Sequence, residues 1–95
     1  MGKRGELRDM DKWEESIRNS AVAFSVVMFQ PGASSRVYQT FEDLTTAQEY
    51  SKVVLQEANR IRSAMIYAID NAGHHALVGT MDRALKWKEV VLKRY

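Results

Sequence analysis

The sequence predicts a small α+β fold, in which an antiparallel sheet of two hairpins and a fifth strand packs against helices. Two segments repeat apolar residues at helical spacing, while several others carry the Val- and Phe-rich or alternating patterns of strands, joined by polar turns. Because strands and helices do not alternate regularly, the strands should pair antiparallel. The 95 residues fit one domain over 9–95, after a polar segment 1–8 that should fray.

The first element is an amphipathic helix over about 9–19. Apolar residues recur there at steps of three and four, which aligns them along one side of a helix. The stripe consists of Leu7, Met10, Trp13 and Ile17. It is a candidate protein interface, because it either covers the sheet of its own chain or packs against a second chain.

The next segment, 21–29, reads as a strand that is apolar on both faces. Such a strand is usually interior or covered on both sides. Pro31 and Gly32 then predict a turn, followed by a more polar edge strand over 36–41. A strand with two apolar faces needs another element packed against each side of the sheet, and one long helix can cover only one side.

The main helix is predicted over about 46–61. Thr45 and Gln48 match a capping box, in which each side chain bonds a backbone amide at the helix start. The stripe expected to lie on the sheet contains Tyr50, Val54 and Ile61, at helical spacing.

A second hairpin follows, with strands over 64–69 and 74–80 around a turn at 70–73. The last segment, 82–95, fits two descriptions. Helical spacing and an Ala-Leu-Lys run favour a helix, whereas Val90 and Val91 favour a strand. We favour a loop or helical turn near 82–86 and then a strand over 87–94.

Composition excludes several classes of function. The chain has no cysteine, which excludes disulfides, thiolate nucleophiles and cysteine-ligated zinc, and which favours a cytoplasmic location. No apolar run approaches the roughly 20 residues of a membrane helix. Neither a Gly-x-Ser-x-Gly elbow nor a glycine-rich phosphate loop occurs. We therefore expect no enzyme, no cofactor, no membrane and no small-molecule substrate.

The adjacent histidines His74 and His75 are the only histidines available to a metal site. Neighbouring residues on a strand point to opposite faces, so both cannot bind one ion without a kink. A third ligand would have to be a carboxylate such as Asp70. We interpret them as ordinary hairpin residues and expect no metal.

The C-terminal segment is basic, with five bases against one acid between residues 83 and 95. Bases attract phosphates and exposed aromatic rings stack on unpaired nucleobases, so this segment is a candidate nucleic-acid contact. Its residues are Arg83, Lys86, Trp87, Lys88, Lys93, Arg94 and Tyr95. The alternative, which we favour, is that Trp87 belongs to the core and the lysines surround it.

These patterns favour a non-enzymatic protein-interaction or regulatory module of the cytoplasm, with another protein or a second copy of the chain as its partner. Surplus apolar faces and small size support that interpretation, and they predict a dimer at micromolar concentration. The alternative is a module that binds RNA or single-stranded DNA through residues 83–95. Exposure of Trp87 distinguishes the two, since a buried ring cannot stack on a base.

Overall fold

The computed structural model describes residues 9–32 and 36–90, without the side chains of 36–38. Along these residues it contains α1 (Asp9–Asn19), β1 (Ala23–Phe29), β2 (Arg36–Phe41), α2 (Leu44–Glu57), β3 (Ser63–Ile69), β4 (His75–Asp82) and β5 (Trp87–Glu89). The predicted α+β class with an antiparallel sheet is confirmed. The segment predicted to fray, 1–8, and the end of the predicted last strand, 91–95, lie outside the described residues.

The strands form one antiparallel sheet in the order β2-β1-β3-β4-β5. Both predicted hairpins are confirmed, since β1 pairs with β2 and β3 pairs with β4. In the middle of the sheet, β1 and β3 pair along their whole length, from Ala23 opposite Ile69 to Phe29 opposite Ser63. As its apolar faces predicted, β1 is an interior strand, and the more polar β2 lies at an edge.

One face of the sheet carries the core beneath α2. Along β3, the central strand, Ala64, Ile66 and Ala68 are fully buried, whereas every residue between them is only partly buried. Because alternate residues of a strand point to opposite faces, one face of the described sheet is buried beneath helices and the other is only partly buried. Residues of the covered face meet α2 and the segment after it in a single cluster of Val26, Met28, Ala47, Leu55, Ile61, Ala64, Ile66 and Met81.

The shorter helix, α1, lies on the same face as α2, over the part of β3 and β4 that the α2 cluster does not reach. Ala68 and its partner Ala76 are fully buried there, and their small side chains let a helix approach closely. On the opposite face of the same two strands, Tyr67 and Leu77 stay partly exposed. α1 therefore packs on the face of the sheet that also carries α2, which we call the helical side.

Two further contacts hold α1 in this position. Arg18 Nε donates a hydrogen bond of 2.6 Å to the Leu77 carbonyl. The ring of Trp13 meets the ring of His74 edge-on, with their centroids 5.3 Å apart. α1 thus packs on its own chain, but over the same face of the sheet as α2, so it does not supply the cover for the second face.

The start of α2 differs from the prediction. Its N-cap is Asp43, whose carboxylate accepts hydrogen bonds from the Thr46 amide at 2.8 Å and from the Thr46 hydroxyl at 2.9 Å. The predicted capping box of Thr45 and Gln48 is therefore wrong. Asp is at least as good an N-cap as Thr, and the backbone of Asp43 has the extended conformation that the position requires.

The end of α2 is also earlier than predicted, at Glu57 rather than near 61. Ala58 adopts an extended backbone, and Arg83 Nη1 donates to the carbonyls of Ala58 at 3.0 Å and Ile61 at 2.9 Å. This guanidinium thus supplies donors to two carbonyls of the segment that follows α2 and that α2 itself does not bond. Ile61 reaches the core from the loop, and the buried residues of α2 itself are Ala47, Ser51 and Leu55.

The last described segment is a turn and then a short strand. Leu85, with a φ of 62°, donates its amide to the Asp82 carbonyl at 2.9 Å, which closes a turn. Trp87 then pairs with Met81, and Lys88 with Thr80. Of the two alternatives for this segment, the strand beginning at Trp87 is confirmed as far as the structure describes the chain.

Candidate interaction surface

The sheet face opposite the two helices has no helix over it in the described part of the chain, and we call it the open face. The strand register assigns to it every second residue of β1 and β3. From β1 and β3 these are Ala23, Ser25, Val27, Phe29, Ser63, Met65, Tyr67 and Ile69. The flanking strands add Thr40, His75, Leu77, Thr80, Asp82 and Lys88.

The centre of the open face is apolar and accessible. Phe29 is 41% exposed, and Val27, Met65 and Tyr67 are all partly exposed. The Tyr67 hydroxyl lies 4.0 Å from the Met65 sulfur, which places these two large side chains side by side. An aromatic and a methionine in contact form an adaptable surface of the kind that protein interfaces favour.

The open face carries almost no charge. None of the residues that β1 and β3 contribute is charged. Asp82 and Lys88 lie towards the β4–β5 side, and the Asp82 carboxylate accepts the Ala84 amide at 2.9 Å within its own turn. Without cations across its centre, this face suits an apolar partner better than a phosphate backbone.

Ser25 is the exception to the partial exposure of the open face. It is 2% exposed, and its hydroxyl oxygen has no hydrogen-bond partner among the described residues. The register places Ser25 opposite Tyr67, the largest side chain on this face of β3.

The predicted interface stripe on α1 divides into a buried and an exposed part. Ile17 is 1% exposed and belongs to the interior, whereas Met10 is 64% exposed and Trp13 is 45% exposed. Leu7 lies outside the described residues. Met10 and Ile17 lie on the same side of α1, so the stripe divides along the length of the helix: Ile17 lies in the last turns, next to Arg18, which bonds the sheet, whereas Met10 lies in the first turn.

The histidine pair is split between the two faces, as strand geometry requires. His75 pairs with Ile69 and lies on the open face, while His74 contacts Trp13 on the helical side. Of the two histidines, Asp70 contacts His74: its carboxylate lies 3.2 Å from His74 Nδ1 and accepts the His74 amide at 2.8 Å, as well as the Ala72 amide at 3.0 Å. Within the residues that the structure describes, no three His, Asp or Glu side chains converge into a metal site.

The basic C-terminal residues are dispersed rather than gathered. Arg83 is engaged with the carbonyls after α2, and Lys86 and Lys88 are exposed. Lys93, Arg94 and Tyr95 lie outside the described residues. Two free cations therefore remain from this group in the described chain.

Trp87 packs against the core cluster instead of projecting into solvent. Its ring lies over Gly79, and its indole nitrogen is buried without a hydrogen-bond partner among the described residues. Trp87 is therefore partly withdrawn from solvent, which reduces the ring surface on which a nucleobase could stack.

A separate shallow cleft of about 390 Å³ lies at one end of the sheet. It is lined by Gln30, Pro31, Asn59, Arg60 and Arg62. Its guanidinium and amide groups could bind an anion, but it contains no nucleophile paired with a base, as covalent catalysis requires.

Sequence reasoning recognised the apolar second face of 21–29 but not the contribution of β3 to the same surface. The missed residues are Met65, Tyr67 and Ile69. Their alternation with Ala64, Ile66 and Ala68 was the available signal: three small or aliphatic residues on one face and larger ones on the other.

Neither described helix is long and apolar enough to cross a membrane. Comparisons with protein-family models, with characterised proteins and with solved structures found no match to this chain.

Proposed function

We propose that this chain is a small non-enzymatic protein-interaction or regulatory module of the cytoplasm, and that the open face is its contact surface for another protein or for a second copy of the chain. The observation that carries the proposal is the alternation along β3, where every helix-side residue is buried and Met65 and Tyr67 opposite them are left partly exposed. Covering such an apolar surface with another protein removes it from water, which is the dominant favourable contribution to association.

The chemistry of the open face supports a protein partner over a small molecule. Small-molecule sites are usually concave and place a few polar groups around the ligand. The open face is instead one side of a sheet, and its accessible side chains, which include Phe29, Val27 and Met65, are uncharged and apolar. The cytoplasmic location rests on the lack of cysteine.

Nucleic-acid binding through residues 83–95 is the second candidate function. Exposed Lys86 and Lys88 favour it, and Lys88 also lies at the edge of the open face. Two observations weaken it. Trp87 packs against the core cluster, so less of its ring is available for stacking, and Arg83 donates to the Ala58 carbonyl, so it is less available to a phosphate.

A pair of lysine substitutions tests the proposed function. Met65→Lys puts a charge at the centre of the open face, while the matched control Val53→Lys puts one on the exposed side of α2, where Val53 is 48% exposed. Met65 is partly exposed, so a lysine there should extend to water and leave the fold intact. Circular dichroism and thermal melting check that both variants remain folded.

We expect Met65→Lys to abolish association and Val53→Lys to preserve it. Sedimentation at about 100 µM measures self-association, because a micromolar dimer is visible at that concentration. Immobilised wild type and variants, exposed to the same purified candidate partners, measure binding to other proteins. Equal association of Met65→Lys and wild type would contradict the proposal, as would unfolding of Met65→Lys, which would make the face part of the core.

A further inference from the structure

We infer that the partner of the open face is a second copy of this chain, packed sheet against sheet about a two-fold axis. This inference rests on the proposed function and adds the identity of the occupant and the geometry of the contact. The assembly would have four layers, with the helices of each protomer outside and the two sheets together at the centre. In that arrangement, Met65 and Tyr67 of each copy become buried.

The size of the open face fits such a contact. The five strands comprise 31 residues, and at about 3.4 Å per residue along a strand and about 4.8 Å between strands they give a flat area of roughly 500 Å² per copy. The side chains make the accessible area larger, which brings it near the lower end of specific interfaces, at about 600 Å² per partner. A contact of that size agrees with the micromolar dimer that the sequence predicts.

The shape of the open face also suits a copy of itself. All twisted sheets have the same hand, so two identical sheets can stack with their strands within about 30° of each other and their side chains interdigitated. Flexible Met65 beside Tyr67 allows that interdigitation, since methionine adapts to irregular gaps.

Charge permits the contact as well. A two-fold axis places equivalent surfaces together, so any charge at the centre would meet its own copy. The residues from β1 and β3 are uncharged, and the whole chain has a net charge of only +2, so repulsion between copies is small.

The sheet edges are the competing site for self-association. Edge β5 is only three residues long, and short edge strands discourage pairing with another chain. Edge β2 has six residues and a register shift opposite Val26 and Val27, an irregularity of the kind that protects edges. The open face is therefore the better surface.

The absence of cysteine allows a direct test with single introduced cysteines. Met65→Cys and Val27→Cys report on the open face; Gln39→Cys and Glu89→Cys report on the two edges, and Val53→Cys reports on the helical side. Packed sheets lie roughly 10 Å apart. A disulfide needs Cα atoms within about 7 Å, so a short thiol-reactive cross-linker is used instead. Circular dichroism confirms that each variant is folded.

We expect a covalent dimer as the main product of Met65→Cys or Val27→Cys, and its loss when Met65→Lys is added to Val27→Cys. The edge and helix-side variants should remain monomeric on denaturing gels. A main product from Gln39→Cys or Glu89→Cys would overturn the sheet-to-sheet geometry and leave self-association intact. A wild-type chain that sediments as a monomer at about 100 µM would overturn the second copy as partner. In that case, loss of binding to other proteins by Met65→Lys would still support the proposed function.

Discussion

The indole ring of Trp87 lies directly over Gly79. A methyl group in place of a Gly79 hydrogen would stand 2.7 Å from Cη2 of that ring and 2.7 Å from the Lys88 carbonyl oxygen, both far inside van der Waals contact. Gly79 is itself buried, in the β4 strand that pairs with β5. The short last strand is thus held against the sheet partly by an aromatic ring that only glycine accommodates.

Gly79→Ala should destabilise the chain, because the added methyl group must displace the ring or the β5 backbone. Overpacking of this kind costs roughly 1–3 kcal/mol. Thermal melting measures the loss, and tryptophan fluorescence should shift as Trp87 moves. In the Trp87→Leu background, Gly79→Ala should cost less, since the ring has gone. Equal costs in both backgrounds would show that the backbone clash with Lys88 dominates.

Asp43→Ala should lower the melting temperature, because the amide of Thr46 loses its hydrogen-bond acceptor at the start of α2. A lost N-cap lowers the melting temperature of a small domain by roughly 5 °C. Thr45→Ala is the control: Thr45 is exposed and lies inside the helix, so its removal should have little effect. Equal losses from the two substitutions would restore the predicted capping box.

Acid should remove the stabilisation that Asp43 and Asp70 provide. Hydrogen bonds from the Thr46 amide, and then from its hydroxyl, lower the pKa of Asp43. Burial acts to raise the pKa of Asp70, but hydrogen bonds from the His74 amide and ring, the charge of His74 and the Ala72 amide outweigh it and lower that pKa. A carboxylate with a lowered pKa stabilises the fold above its ordinary pKa of about 3.9, and that stabilisation is lost as the pH falls through the folded value.

The measurement compares wild type with the double variant Asp43→Asn, Asp70→Asn, which keeps short polar side chains but cannot titrate. Wild type should melt at the higher temperature at pH 7, and the difference should shrink as the pH falls below about 4. A difference that stays constant from pH 7 to pH 3 would show that neither carboxylate contributes through its charge.

Nucleic-acid binding predicts different effects for three basic residues. If residues 83–95 bind single strands, Lys86→Gln with Lys88→Gln should flatten the dependence of log affinity on log salt by about 0.7 per lost contact. Arg83→Gln should instead lower the melting temperature, because the carbonyls of Ala58 and Ile61 lose a donor. Titration of a labelled oligonucleotide at about 50 mM salt measures the first effect. No binding there would contradict this second function.

Local patterns were sufficient for most of the elements. Period-two and period-3.6 spacing located α1 and both hairpins, because those periods follow from backbone geometry alone. The strand that begins at Trp87 was predicted from the β propensity of Val90 and Val91, against a helical spacing. The ends of α2 were predicted less well. Its start depended on which of two nearby side chains, Asp43 or Thr45, accepts hydrogen bonds from the first free amides of the helix. The path of the chain after β2 decides this. Its end depended on Arg83, which is distant in sequence.

The sequence by itself determined the α+β class, the pairing within each hairpin and the surplus of apolar strand faces, since all three depend on residues close together in the chain. Only the tertiary structure decided that α1 packs on β3 and β4, that β1 and β3 join their apolar faces, and that Met65 and Tyr67 consequently remain accessible together. It also placed Trp87 over Gly79 rather than in solvent. The physical reason is that the alternation of residues along a strand defines its two faces. Which of those faces is buried depends on packing against helices and strands that are distant in the sequence.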